Sequence, residues 1–121
     1  MLIKWWREHC RQLGCEPEEL FSVPNGMFTT HAMANKCRAE GLVAGVADLC
    51  LAVPSHDGRW SVLWLEMKRV KDGKWHDEQK QFASRVMARG QQYALCRGAV
   101  EAIFAIQAHL RGEVGCDLST D

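Results

Sequence analysis

The sequence has no excess of charge of either sign and no long apolar run. Its 121 residues carry 15 Lys and Arg against 15 Asp and Glu, a formal net charge of zero, so overall charge gives no sign of nucleic-acid binding. No apolar stretch approaches the length of a membrane span. The first residues lead straight into Lys4, Trp5, Trp6, Arg7 and Glu8 without the apolar segment of a secretory signal.

The cysteine and histidine patterns do not predict a zinc site. Six cysteines occur, but none forms a C-x-x-C pair, which zinc ribbons require. The histidines at positions 9, 31, 56 and 109 are scattered without ligand spacing. Cys50 and Cys96 lie in apolar strand patterns, so we expect both to be small buried side chains. We expect the protein in a reducing cytosol.

Length and composition predict one α/β domain. With 121 residues of which 47% are hydrophobic, the chain can bury a core of its own. No internal repeat or linker interrupts residues 1–112, and residues 113–121 are predicted to be a frayed acidic tail. The predicted elements are helices over 2–13, 30–40, 77–88 and 99–110, and strands over 47–53, 60–68 and 91–96.

Two predictions concern how these elements pack. In the last helix, Val100, Ile103, Phe104 and Leu110 are expected to face inward. Trp64 alternates with Leu63 and Leu65, so it is predicted to be a core residue rather than a platform for stacked bases.

Three charged residues at strand ends carry the chemical interpretation. Asp48 closes the turn Gly45-Val46-Ala47 into an apolar strand, and Glu66 and Lys68 end the next strand. Side chains two apart on a strand share a face, so Glu66 and Lys68 are expected together, with Asp48 beside them. Hard divalent cations prefer carboxylate oxygens. Asp48 and Glu66 are therefore candidate ligands of Mg²⁺ or Mn²⁺ in a site that activates water.

A plainer interpretation of the same residues is an exposed ion pair at the end of a surface strand, which contributes little stability. An E-x-K triplet is common by chance. The preceding Gly-x-x-Asp turn and a following helix that carries Gln79 make the functional interpretation the stronger one.

The order of these motifs resembles the VRR-NUC branch of the PD-(D/E)xK nucleases, as found in stand-alone phage and bacterial members, over residues 21–110. The matching segments are Pro24-Asn25-Gly26, residues 36–41, residues 44–49, Glu66-Met67-Lys68, Gln79 and residues 90–98. The resemblance implies a restriction-endonuclease-like core, a small mixed sheet flanked by helices. It also implies catalytic roles for Asp48, Glu66, Lys68 and Gln79.

The resemblance further implies a cytoplasmic, metal-dependent DNA endonuclease in a bacterial or phage-infected cell, selective for branched DNA and acting as a homodimer. The chain departs from the family pattern at Ala47, where a proline is usual. Family members also carry an acidic residue on the first helix, upstream of a segment like Trp5-Trp6. We expect that acid to be absent here, because Glu8 is in the wrong register.

Contact with the DNA backbone is expected from basic residues near these motifs. From position 66 to 89 there are seven Lys or Arg and four acids, a net of +3. Lys71, Lys74, Lys36 and Asn25 are candidate contacts, although a solvated helix face and a turn asparagine explain the same residues. His76 is predicted to cap the third helix.

Two other functions remain open at the level of sequence. A domain with an incomplete metal site can persist as a catalytically impaired module that binds DNA or a protein, such as a phage-encoded antagonist of a host system. A metal-free structural module is the weaker alternative, because it leaves the convergence of Asp48, Glu66 and Lys68 unexplained.

Overall fold

The computed structural model describes residues 1–24 and 30–114. Four strands form one sheet with the order β1-β2-β3-β4, in which the first two pairs are antiparallel and β3 and β4 are parallel. The strands are β1 (Leu20–Ser22), β2 (Leu49–Leu51), β3 (Leu63–Lys68) and β4 (Gln92–Arg97). The helices are α1 (Leu2–His9), α2 (His31–Ala39), α3 (Asp77–Ala88) and α4 (Ala99–Leu110). This mixed sheet with helices agrees with the predicted α/β class.

Local sequence signals set most of the helix ends. The Thr30 hydroxyl accepts a hydrogen bond from the backbone N–H of Met33 at 3.1 Å and so caps α2. α3 and α4 have the predicted bounds. The first helix is shorter than predicted, because α1 gives way to a 3₁₀ turn over Cys10–Leu13 before Gly14, at φ +79°, ends it.

The strand β1 was not predicted from the sequence. It is three residues long and pairs with β2, with Leu20 opposite Leu51. Three residues are too few to show an alternating pattern, so only this pairing defines the strand. β2 and β3 are shorter than predicted, but they are joined as an antiparallel pair through the predicted loop around Pro54.

Two apolar clusters lie on opposite faces of the sheet. The larger contains Trp6 of α1, Leu51 and Leu65 of the sheet, and Ala105 and Ile106 of α4. The smaller lies between the sheet and α3, and its buried members are Ala47, Ala83, Val86, Tyr93 and Leu95. Trp64 packs against this second cluster as predicted. Alternation along β3 and β4 therefore places Trp64, Glu66 and Lys68 on the α3 side of the sheet.

The predicted inward face of α4 is partly wrong. Leu110 is buried, but Val100 and Phe104 are 68% and 63% exposed. The buried stripe is formed by Ala102, Ala105 and Ile106 instead. Small alanine side chains allow α4 to pack closely on the sheet, so the larger residues next to them point away from it.

The cysteines in the described part of the chain are all free thiols. Cys50 and Cys96 are 4% and 1% exposed, which confirms the prediction that both are buried. Cys116 and most of the predicted acidic tail lie outside the described residues. Within the described ranges, no helix combines the length and apolarity needed to cross a membrane.

Candidate active site

Asp48 is held in place by the turn that leads into β2. Gly45 has φ +88°, and a Cβ at this position would overlap the backbone carbonyl of Glu78, so only glycine lets the turn pack on the first turn of α3. Ala47, which stands where the family pattern has proline, is fully buried. The Asp48 carboxylate accepts a hydrogen bond from the backbone N–H of Met67 at 2.8 Å. This bond fixes Asp48 against the end of β3.

Glu66 and Lys68 share the α3 side of β3, as their spacing predicts. The ammonium of Lys68 lies 3.9 Å from Oε2 of Glu66, and their side chains are 12% and 3% exposed. Among the described residues, Oε1 of Glu66 has no hydrogen-bond partner although it is buried. Such an atom is costly unless something binds it.

The environment of Glu66 opposes its negative charge. Burial, a hydrogen bond to the Asp48 carboxyl and the charge of Asp48 together raise the pKa of Glu66 to about 8, while Lys68 opposes this shift. The Asp48 and Glu66 side chains are therefore close enough for each to affect the charge of the other, as two ligands of one cation must be.

This pair fits a hard divalent cation. Two carboxylates in one place repel each other, and a cation between them removes that repulsion and supplies the missing partner for Oε1. No group of three His, Cys, Asp or Glu side chains that could hold a metal occurs in the described ranges. The carboxylates of Asp48 and Glu66 are thus the two acidic side chains at this position. That they bind a metal remains a prediction.

Gln79 lies near the pair but is engaged in capping α3. Its amide oxygen accepts a hydrogen bond from the backbone N–H of His76 at 2.9 Å, where His76 is the N-cap residue. The predicted position of His76 at the cap is therefore confirmed. Gln79 also lines, with Asp48, a cavity of about 370 Å³. The predicted catalytic role of Gln79 remains a prediction, and its side chain has a structural use as well.

The predicted DNA contacts are spread around this site. Lys74 is exposed and lines a cavity of about 410 Å³ together with Lys68 and His76. Lys71 is exposed on the loop that follows β3, and Lys36 is exposed on α2. Asn25 lies outside the described residues. The structure thus brings Lys74 next to Lys68, while Lys36 belongs to a separate helix.

Three residues near the site were not singled out from the sequence. Arg38 of α2 lines the same cavity as Asp48. Arg97 ends β4 directly beside Lys68. Tyr93 is 2% exposed, and its hydroxyl accepts a hydrogen bond from the indole N–H of Trp75 at 3.3 Å.

The charges of Glu66 and Asp48 affect the pKa of Tyr93, which lies near them. Burial raises this pKa, the bond from Trp75 lowers it, and the charges of Glu66 and Asp48 raise it again. The signal that could have located Tyr93 and Arg97 is the parallel pairing of β3 with β4, which sets Trp64 opposite Tyr93 and Lys68 opposite Arg97.

Comparison with known proteins supports the fold. The chain superposes on a solved structure described as a VRR_NUC domain protein with a TM-score of 0.76, at 18% sequence identity, covering 95% of this chain and 88% of that one. No protein-family model matches the sequence, and no curated protein is similar to it. The VRR-NUC resemblance predicted from the sequence is confirmed at the level of the fold, an α/β restriction-endonuclease-like core.

Proposed function

We propose that this domain is a metal-dependent nuclease that hydrolyses DNA phosphodiester bonds. The observation that carries the proposal is the pairing of Asp48 with the buried carboxyl group of Glu66, whose Oε1 has no partner among the described residues and whose Oε2 lies 3.9 Å from the Lys68 ammonium. A carboxylate buried in this way lowers stability in the absence of a cation. Its retention at the end of an apolar strand is best explained by function.

Each residue of the cluster has a distinct proposed role. Asp48 and Glu66 would hold Mg²⁺ or Mn²⁺, which supplies a water of lowered pKa and polarises a phosphoryl oxygen. Lys68 would orient the nucleophile or stabilise charge on the phosphate. The backbone N–H of Met67 donates to one oxygen of Asp48, so the other oxygen would be the one that holds the cation. Gln79 would orient groups at the rim of the site.

DNA contact is proposed for the basic residues around the cluster. Lys74, Lys71 and Lys36 would bind phosphates without reading sequence, and Asn25 is a further candidate. The finer expectations, a preference for branched DNA and a homodimer, come from the resemblance to stand-alone VRR-NUC proteins. Two copies related by a two-fold axis would place two single sites on the two strands of a junction.

The direct test is cleavage of defined DNA forms by the purified protein. Supercoiled, linear and four-way-junction DNA would be incubated with Mg²⁺, Mn²⁺ or EDTA. We expect cleavage in either ion, none in EDTA, and the fastest cleavage on the junction. Asp48→Asn under the same conditions controls for a contaminating nuclease, because it removes a charge from the site without changing side-chain size.

Two outcomes would contradict parts of the proposal. DNA binding without cleavage in either metal would show the impaired binding module instead of an enzyme. Equal cleavage of linear and junction DNA would leave the nuclease activity standing and remove the structural preference. Sedimentation of the protein with and without junction DNA tests the homodimer independently.

A further inference from the structure

Residues 69–74, the 69–74 loop, follow β3 and fold back closely onto its end. Asp72 adopts φ +66°, which is uncommon for a residue with a side chain. A Cβ on Gly73 would come within 3.0 Å of the Lys68 Cβ and 3.1 Å of the Arg69 backbone. The loop therefore folds back onto the end of β3, and it carries three basic residues, Arg69, Lys71 and Lys74.

Arg97 holds this loop from the neighbouring strand. One terminal nitrogen of its guanidinium, Nη1, donates to the carbonyl of Gly73 at 2.7 Å and to that of Arg69 at 3.4 Å. Its own backbone N–H donates to the Glu101 carboxylate at 2.8 Å. Because Arg97 lies opposite Lys68 in the parallel pair, it holds the loop beside the end of the strand that carries Glu66 and Lys68.

Most of the hydrogen-bonding capacity of that guanidinium is unused within the described residues. Arginine has five N–H donors, and both bonds to the loop involve Nη1 alone. The side chain lines an open cavity of about 430 Å³ with Lys74, Trp75, His76 and Asp77. The planar guanidinium of Arg97 thus has free N–H donors at a cavity that a lysine also lines. Such a group suits a phosphate, which accepts hydrogen bonds from arginine in pairs.

We propose that Arg97 and Lys74 form a second phosphate subsite, which binds the DNA phosphate next to the one at Lys68. In this subsite Arg97 serves two purposes, since Nη1 fixes the 69–74 loop while the remaining donors contact the DNA. Asp77, in the first turn of α3, is the acidic residue among those that line this cavity. The inference rests on the proposed nuclease function, but it concerns binding and not the chemical step.

The test measures DNA binding as a function of salt in EDTA, so that no cleavage occurs. Affinity for a short duplex would be determined across a salt series for the native chain, Arg97→Gln, Arg97→Lys and Arg111→Gln. Arg111 follows α4, whose 12 residues span about 18 Å, so this control removes one positive charge at the end of α4 away from Arg97.

We expect Arg97→Gln to bind roughly tenfold more weakly, as loss of a charge-assisted hydrogen bond implies. The slope of log affinity against log salt should fall by about 0.9, because one phosphate contact is lost. Arg97→Lys should keep the slope and lose part of the affinity, since it retains the charge but not the fork. Arg111→Gln should match the native chain in both.

The subsite would be refuted if Arg97→Gln left the slope of log affinity against log salt unchanged, or if the native chain did not bind DNA. It would also be refuted if Arg97→Gln and Arg97→Lys lost the same slope and both had a lower melting temperature. Failure of the proposed function looks different. Native protein that binds DNA with the expected Arg97 dependence, yet cleaves nothing in Mg²⁺ or Mn²⁺, would refute the enzyme and retain the subsite.

Discussion

Glu66 and His109 are buried on opposite faces of the sheet, and their surroundings differ. On the α4 side, His109 is fully buried; its Nε2 donates to the carbonyl of Val53 at 2.8 Å, and its Nδ1 lies 2.7 Å from the side-chain oxygen Oε1 of Gln92. On the α3 side, Glu66 is 3% exposed and its Oε1 has no hydrogen-bond partner among the described residues. Both ring nitrogens of His109 thus face polar groups of the fold, whereas Oε1 of Glu66 does not.

The two groups also give stability opposite dependences on pH. Burial lowers the pKa of His109 below 6.5, although its bond to Val53 opposes the shift. The unfolded chain then binds more protons than the folded one, so stability falls as pH drops through 6.5. The pKa of Glu66 is raised from 4.5 to about 8, so the folded chain holds the proton more tightly and stability falls as pH rises between these values. The contributions of His109 and Glu66 to stability are thus separable by their pH dependence.

The largest effect is expected on the α3 side. Asp48→Asn and Lys68→Ala should each slow DNA cleavage by about a hundred- to thousandfold or more. Folding and most DNA affinity should remain, since phosphate contacts are made by other residues. Cleavage rates on junction DNA and binding in EDTA would be measured for both variants. Parallel losses of binding and cleavage, with a lower melting temperature, would mean that these residues support the fold instead.

The opposite pattern is expected on the α4 side. His109→Leu removes the partner of both the Val53 carbonyl and the Gln92 amide, so unfolding should become easier by about 2–4 kcal/mol. Cleavage per folded molecule should not change. Urea denaturation measures the first quantity, and a rate corrected for the folded fraction measures the second.

The matched control for this variant is His56→Leu. His56 is an exposed histidine in the loop after β2, so its loss should change stability by only about 0.5 kcal/mol. A similar effect of both substitutions would show that the hydrogen bonds of His109 contribute little. Such a result would remove the contrast between the two faces.

A stability effect of similar size should appear in the pH dependence of Glu66→Gln. The native chain should lose at most about 1.4 kcal/mol of stability per pH unit from this group between its unfolded and folded pKa values. Glutamine cannot ionise, so the variant should lack this slope and be more stable than the native chain at pH 9. Denaturation in EDTA at pH 5, 7 and 9 would compare the two proteins.

Added Mg²⁺ or Mn²⁺ provides a second readout of the same variant. The native chain should gain stability at pH 9 when a cation binds the ionised pair, and the glutamine variant should gain less. Parallel pH curves for the two proteins would contradict the raised pKa of Glu66.

The sequence predicted the positions of Asp48, Glu66 and Lys68 better than it predicted the residues around them. Glu66 and Lys68 follow from the two-residue repeat of one strand, and Asp48 from the adjacent turn, so local rules were enough. Tyr93 and Arg97 reach the site only through the register of the parallel β3–β4 pair, which spacing along the chain does not give. Likewise β1 exists only through its pairing with β2.

Side-chain size misled the prediction for α4. Val100 and Phe104 have the apolar character of core residues, but the helix presents its alanines to the sheet, because only small side chains allow close approach. The two exposed residues follow from helix geometry once the buried stripe is known. Hydrophobicity alone does not indicate which of several apolar stripes a helix will bury.

The smallest expected effect is the preference between metal ions. Asp48 and Glu66 supply two carboxylates, and in the described ranges no third acidic or histidine side chain completes a metal group. Water must then fill more of the coordination shell, and Mg²⁺, which demands near-ideal octahedral geometry, should bind weakly. Mn²⁺ should support cleavage at severalfold lower concentration than Mg²⁺, as roughly expected for a less demanding ion at oxygen ligands.

Titration of each ion against the cleavage rate tests this expectation, with Ca²⁺ as a competitor to confirm a shared site. Half-saturation by Mg²⁺ below about 1 mM would imply a third acidic ligand. Glu8 lies exposed on α1, which packs on the face of the sheet opposite Glu66, and Glu19 is bonded to the backbone of Glu16. Alanine substitution of Glu8, Glu18 and Glu19 would then show whether one of these three residues is that ligand, because only loss of the ligand would weaken Mg²⁺ binding.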